Sequence, residues 1–384
     1  MGWSPRQRLA VYARGLIAVY LFLGSYFVLA GTGLTDRLGQ PLGRDFSHYW
    51  VAASLARAGD PSAVYDFPRF KAAQQAVFGP QAAIPWLYPP TFLLLMLPLA
   101  LLPYLLSLGV WLATTLSGYL GTIRRLAPHP LTVWLTLAFP GTFQNLYFGQ
   151  NGFLSAMLLG GGLLLVDGLP FAGGVLLGLL TYKPHLAVLL PVALVAGGRW
   201  RALLGLASSA AGLALASVLV LGSQVWLAFV RQLPWAMQLV KTDDLCWSHM
   251  PTVLAAIQLL GGGLDAALVL QGLVMLIGAT VVAWVWFKGA SLAVRAATLV
   301  TGTLLVTPYA FAYDLALLAL PLVWLAWEGH TQGWLPGEKS FLSLAWVTPL
   351  IFPALAHFIR VPAAPLVLAG LLLLALRRGG FLRA

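Results

Sequence analysis

Residues 15–33 read GLIAVYLFLGSYFVLAGTG, and this run from Gly15 to Gly33 decides the class of the fold. It carries no charge, and its length is close to the roughly 20 apolar residues that a helix needs to cross a bilayer. Arg6, Arg8 and Arg14 precede it. Positive charge before a span holds that end in the cytoplasm, so the chain is expected to run outward from there. The run lacks a small-residue cleavage site and a polar segment follows at once. It therefore reads as a retained first span, not as a removed signal peptide.

The composition repeats this message along the whole chain. Of 384 residues, 60% are hydrophobic and only 9% are charged, and the mean hydropathy is +0.86. A soluble domain carries about 25% charged residues. The expected class is all-α integral membrane, one polytopic domain over residues 1–384. The 25 Pro and 40 Gly fit the use of both residues in membrane helices. Cys246 is the single cysteine, which excludes a disulfide scaffold and a zinc–thiolate site. The net charge of +11 raises the question of nucleic acid. Its placement answers it: Arg124 with Arg125, Arg199 with Arg201, and Arg377, Arg378 and Arg383 sit in short clusters between apolar runs, as in cytoplasmic loops.

Outward from Gly33 comes the longest polar stretch, residues 34–87, with Asp36, Asp45, Asp60 and Asp66. It reads as a first extracytoplasmic loop containing interfacial helices. In one of them Phe67, Phe70, Ala73 and Val77 are expected to face one way and Arg69, Lys71, Gln74 and Gln75 the other. From Arg199 onward, spans near 202–222, 265–287, 293–308, 313–327, 341–358 and 361–376 keep Arg199, Arg201, Lys288 and the C-terminal arginines inside. Residues 223–263 then form a second extracytoplasmic loop, with a further interfacial pattern at Trp226, Phe229, Val230 and Leu233. Between Tyr88 and Gly198, two full spans over 88–102 and 104–121 would put Arg124 and Arg125 outside, against the charge rule. One re-entrant or broken element keeps them inside and places Gly149–Asn151 and Lys183–His185 outside. The total is about 12 crossings.

Few residues in this background can carry chemistry. Asp45, within Arg44-Asp45-Phe46-Ser47-His48-Tyr49-Trp50, is placed to act as a general base or cation ligand if burial raises its pKa; it also suits the cap of a helix starting near His48. Tyr88-Pro89-Pro90 fits a rigid turn. Gln150 and Asn151, between Gly149 and Gly152, suit either a sugar or the cap of a helix hairpin. Lys183, in Lys183-Pro184-His185, interrupts a long apolar run. A lysine there marks function unless it snorkels to the interface. Asp314 heads a span, where it pairs with a cation or meets substrate. Walker, dinucleotide-binding and HExxH motifs are absent, and His48, His129, His185, His249, His330 and His357 do not fall at metal-ligand spacing. No metal and no cofactor are expected.

Taken in order, Asp45-Phe46-Ser47-His48-Tyr49-Trp50-Val51-Ala52-Ala53, Gly59-Asp60-Pro61, Tyr65-Asp66, Tyr88-Pro89-Pro90, Gly149-Gln150-Asn151, Lys183-Pro184 and Thr307-Pro308-Tyr309 resemble glycosyltransferase family 87. These are mannosyltransferases that use polyprenyl-phosphate sugars. The resemblance spans roughly positions 10–330 and implies the C-type glycosyltransferase fold, with the active site on the extracytoplasmic face of a bacterial inner membrane. It implies an inverting transfer of a sugar, mannose by family habit, from a polyprenyl-phosphate donor to a glycolipid or glycan acceptor, without nucleotide sugar or metal. Asp45 matches the catalytic carboxylate. Lys183, with Arg44 and His185 behind it, is the candidate for the donor phosphate. His48, Tyr49, Tyr88, Gln150, Asn151, Tyr313 and Asp314 are the candidates for substrate contact. The family's late motif often carries a histidine near Tyr313–Asp314, and this chain has none there.

Two other classes compete. A transporter or flippase for a lipid-linked sugar would show related halves and ionisable groups near the midplane, whereas here the halves look dissimilar and the polar residues favour one face. A structural subunit would tolerate alanine at Asp45 and Lys183.

Overall fold

The computed structural model describes residues 5–242 and 247–382. Cys246 and Arg383 lie outside the described residues, as does the part of the second outer loop between 242 and 247. The described chain is all-helical; its other backbone pairing is a pair of isolated bridges, Thr32 with Thr35 and Thr35 with Pro41.

Among the described residues, six helices are long and apolar enough to cross a membrane: Arg6–Leu29, Tyr104–Leu126, Trp200–Leu221, Leu264–Phe287, Ala312–Gln332 and Glu338–Ile359. In chain order the elements are α1 Pro5–Leu29, α2 Arg44–Arg57, α3 Phe67–Phe78, α4 Pro90–Met96, α5 Tyr104–Leu126, α6 Pro130–Leu137, α7 Pro140–Phe148, α8 Gly152–Leu165 and α9 Pro170–Gly178. They continue with α10 Pro184–Ala187, α11 Leu190–Ala196, α12 Trp200–Leu221, α13 Ser223–Thr242, α14 Val253–Leu259 and α15 Leu264–Phe287. The last four are α16 Leu292–Val306, α17 Ala319–Gln332, α18 Glu338–Ile359 and α19 Ala363–Arg378. Proline explains why the middle of the chain is cut into short helices. It stands in the first turn of α4, α6, α7, α9 and α10. There its missing N–H costs nothing, but it prevents the preceding helix from running on.

The bundle has two chemically different ends. At one end Asp167, between α8 and α9, joins Arg199 at 2.6 Å and Arg295 at 2.5 Å. The rings of His129 and His330 meet there at 5.7 Å, and Glu338 holds Arg378 at 2.5 Å. The clusters Arg124–Arg125, Arg199–Arg201 and Arg377–Arg378 all end helices or open them on this side. At the other end α2, α3 and α13 all pack on the 3₁₀ turn Pro61–Tyr65, and there Asp45 meets Gln150 and Lys183 meets Asp314. Helices α9 and α12 connect the ends backbone to backbone. A Cβ on Gly174 would strike the Ala202 carbonyl, and one on Gly205 the Phe171 carbonyl, the close approach that small residues allow in membrane helix pairs.

The segment after Tyr88 returns to the helix from which it sets out. Tyr88 packs on Tyr49 with ring centroids 5.5 Å apart. After α4 and the 3₁₀ turn Leu97–Leu101, the Leu102 carbonyl accepts from Trp50 Nε1 at 3.0 Å, and Tyr104 packs on Phe46 at 5.9 Å. Both ends of the segment therefore lie on α2. It is a hairpin alongside that helix, and α5 carries the chain to Arg124 and Arg125 at the opposite end.

The buried face of α3 is rotated from the expected one. In α3 the buried stripe is Phe70, Gln74 and Phe78, while Val77 is exposed. Gln74 turns inward because its amide closes the loop beyond the helix, donating to the Ile84 carbonyl at 2.8 Å and accepting from Ile84 N at 3.1 Å. In α13, Phe229 packs inward on Tyr65 at 5.7 Å, whereas Val230 and Leu233 face outward.

Candidate active site

Helix α2 starts from a left-handed turn at Gly43, φ 66°, which brings Asp45 into its first turn. The Asp45 carboxylate does not cap the helix. It accepts instead from Gln150 Nε2 at 2.5 Å, across 105 positions of sequence. Burial pushes its pKa up to about 6, against the Gln150 hydrogen bond and the positive charges of Arg44 and Lys183. Such a carboxylate is largely ionised at neutral pH and more basic than one in water, the property needed to take a proton from a hydroxyl.

Gln150 is itself fixed. Its Oε1 accepts from the Tyr49 hydroxyl at 2.7 Å and from Asn151 N at 3.1 Å. Since the one hydrogen of Tyr49 goes to Gln150, the Tyr88 hydroxyl 2.9 Å away donates to Tyr49, which also accepts from Asn151 Nδ2 at 3.1 Å. Burial raises the pKa of Tyr49 and Tyr88 well above 10, so both remain neutral donors. Gly149 makes this wall possible. It turns the chain between α7 and α8 at φ 63°, and an added Cβ would stand 2.6 Å from Phe46 Cβ and 2.8 Å from the Gly43 carbonyl.

Opposite this wall, Lys183 does not snorkel. Its side chain is buried, and Nζ lies 2.6 Å from Asp314 Oδ1. Asp314 Oδ2 accepts from Phe311 N at 3.0 Å, and the ammonium sits 5.2 Å from the centroid of Tyr313 and 6.0 Å from that of Tyr88. His185 is edge-on to Tyr309 at 5.5 Å, with its Nε2 unpartnered, and lies within electrostatic reach of Lys183 and Asp314. Of the other expected residues, Arg44 is exposed over the Phe148 ring at 5.7 Å. His48 is buried behind the tyrosines against Tyr49, Trp86 and Tyr88. Burial pushes its pKa down to about 3, opposed by the Asp45 carbonyl from outside good hydrogen-bond geometry, so it is neutral.

The fold thus gathers Asp45, Tyr49, Tyr88, Gln150, Asn151, Lys183, His185, Tyr313 and Asp314 at one end of the bundle. A family model described as Glycosyltransferase family 87 matches residues 86–308, more than half of the chain. The chain belongs to glycosyltransferase family 87. It is a transferase, and its substrates are a sugar donor and an acceptor. The family 87 match takes in Tyr88, Gln150, Asn151, Lys183 and His185, while Asp45, Tyr313 and Asp314 join these residues through the contacts above. No curated protein and no solved structure matches the chain.

Asn145 belongs to this centre and was not singled out in the sequence. Its Nδ2 donates to the Tyr313 carbonyl at 2.8 Å and its Oδ1 accepts from Gly152 N at 2.8 Å, tying the glycine turn to the late motif. The signal was there in Gln144-Asn145, a second pair of amides six positions before Gln150-Asn151. Tyr182 was also missed; its hydroxyl pairs with Ser155 Oγ at 2.7 Å.

Proposed function

We propose that this glycosyltransferase moves a sugar, mannose in the first instance, from a polyprenyl monophosphate to a glycan or glycolipid on the extracytoplasmic side of a bacterial inner membrane. The observation that carries this reading is the Asp45 carboxylate, poised near pKa 6 and aimed by Gln150 beside a buried lysine.

In this mechanism Asp45 takes the proton of the acceptor hydroxyl as its oxygen attacks the anomeric carbon. The bond from that carbon to the phosphate oxygen breaks on the opposite face, its electron pair leaves with the polyprenyl phosphate, and the configuration inverts. The departing phosphate gains charge, which cations fixed in advance stabilise. One Lys183 hydrogen goes to Asp314; the others serve the phosphate, with His185 behind and Arg44 at the rim. Tyr49, Tyr88, Gln150, Asn151 and Tyr313 hold the sugars, and Asp314 fixes the lysine.

The orientation rests on charge. With the arginine-rich end in the cytoplasm, the Asp45 end faces outward. Passing back and forth between the ends, with the broken pairs α6–α7 and α10–α11 each counted once, the chain makes twelve crossings. That count, with α2, α3 and α13 gathered at the Asp45 end, supports the C-type glycosyltransferase fold as the reading. Asp45 stands on α2, beyond the end of α1, which supports transfer over transport.

The test is transfer from radiolabelled polyprenyl-phosphate mannose in membranes containing wild type or Asp45→Asn. Labelled product from wild type and none from a folded variant supports the reading. Equal transfer by both removes Asp45 as the base, and absence of transfer by either removes the donor.

A further inference from the structure

A groove of about 720 Å³ lies away from Asp45, between the first outer loop and α13. Its volume is within the roughly 300–1,000 Å³ of small-molecule sites. Tyr65, Asp66 and Phe67 line one wall, and Arg231, Gln232 and Trp235 the other. Helix α13 shapes it by dividing its faces. Leu227, Val230, Leu233 and Met237 point outward, suited to lipid, and the remaining face turns onto the first loop. Pro234 has no N–H to continue the helix ladder just before Trp235. The Trp235 ring comes to rest 5.3 Å from that of Phe67.

The chemistry of the lining is specific. Gln232 is 8% exposed, yet its Nε2 has no hydrogen-bond partner. A buried amide donor left unpaired is destabilising; Gln232 forms part of the groove lining, and a turn of its side chain would bring that donor to a ligand oxygen. Arg231 adds exposed donors. Asp66 uses one oxygen to accept from Arg69 N at 3.3 Å and leaves the other to accept from a hydroxyl. The aromatic rings offer flat apolar faces. Donors, a carboxylate acceptor and aromatic faces together fit a chain of neutral sugars; an anionic headgroup would meet the Asp66 charge.

A run of hydrogen bonds leads from the groove wall to the base. The Tyr65 hydroxyl on its wall donates to the Tyr88 carbonyl at 3.0 Å, and Tyr88 continues through Tyr49 and Gln150 to Asp45. We infer that the groove between the first outer loop and α13 is the acceptor subsite, binding the sugar residues behind the hydroxyl that is presented to Asp45. This rests on the transfer reading above, and it adds where the acceptor lies and that its recognised part is carbohydrate.

The experiment titrates α-linked manno- and gluco-oligosaccharides of one to four units into the purified full-length protein in detergent, without donor, and follows binding by saturation-transfer NMR and calorimetry. Binding should strengthen with length. Trp235→Ala removes a ring face and Gln232→Ala a polar partner; each should weaken it by about tenfold, while Asp45→Asn leaves it unchanged. Arg231→Ala, at an exposed position, repeats the test without disturbing packing. Binding that is unaffected by all three groove variants overturns the inference. So does absence of saccharide binding, or binding of anionic lipid vesicles that requires Arg231 in its place. Saccharide binding lost in Trp235→Ala and kept in Asp45→Asn supports the groove even if the donor is not turned over, a result that would count against the transfer reading alone.

Discussion

Lys183 and Asp314 are 131 positions apart in sequence and meet at 2.6 Å in the interior of the bundle. Their side chains are 3% and 2% exposed, so neither charge has water to fall back on. Removing one partner of such a pair strands the other and costs about 3–5 kcal/mol, whereas replacing both with apolar groups is often neutral. Lys183→Met and Asp314→Leu should each lower the thermal unfolding midpoint in detergent, and the double variant should recover most of the loss. If Lys183 also serves the donor phosphate, the recovered double variant remains about 10²–10³-fold slower in transfer. A double variant that is both stable and active would make the pair purely structural.

Asp45→Asn preserves shape and an oxygen for Gln150 but cannot take a proton. Transfer should fall by about 10²–10⁴-fold, the range for loss of a general base. Melting temperature should change little, since Asp45 caps no helix. Rates of sugar transfer and the melting curve of the same preparation check both halves of this statement.

The acidic limb of the rate profile should report this same group. A base works deprotonated, and Asp45 is raised to about 6. Transfer efficiency should therefore be flat above that pH and drop about tenfold per unit below it. An ordinary carboxylate would keep the limb near pH 4, and a limb found there would remove the effect of burial from the mechanism.

Gln150 lowers the pKa of Asp45 by donating to it. Gln150→Ala should move the limb to higher pH while the rate on the plateau also falls, because the carboxylate is no longer aimed. Tyr49→Phe acts one bond further out, removing the donor to Gln150 Oε1. Its limb should shift in the same direction by less. Profiles of kcat and KM separate these positioning effects from simple loss of acceptor binding.

Much of this was readable before any coordinates. Apolar length located the spans near 202–222, 265–287, 313–327 and 341–358, each matching a helix long enough to cross, because a bilayer leaves a helix little choice. Asp45, Gln150 and Lys183 stood out because polar groups are rare and costly in such a chain. Pairing was not readable. Lys183 with Asp314, and Asp45 with Gln150, depend on which helix ends meet, and that is fixed by side-chain packing over distances of more than a hundred residues. The face of α3 was misassigned for a related reason: Gln74 looks solvent-facing by polarity, and only the loop carrying Ile84 makes its burial favourable.

Two glycines with positive φ separate strain from displacement. Gly149 has φ 63° and a Cβ there would strike Phe46 and the Gly43 carbonyl, in the turn that carries Gln150. Gly59 has φ 91° with nothing within 4 Å of an added Cβ. Alanine at either position bears the cost of a left-handed backbone, about 1–3 kcal/mol. Only at Gly149 must the neighbours also move, and they are the residues beside Asp45 and the start of α2. Gly59→Ala should thus lower the unfolding midpoint while keeping transfer close to wild type at permissive temperature. Gly149→Ala should lower it further and lose transfer even where it is folded, with the acidic limb displaced as in Gln150→Ala. Equal activity in the two folded variants would mean that the turn does not aim the carboxylate.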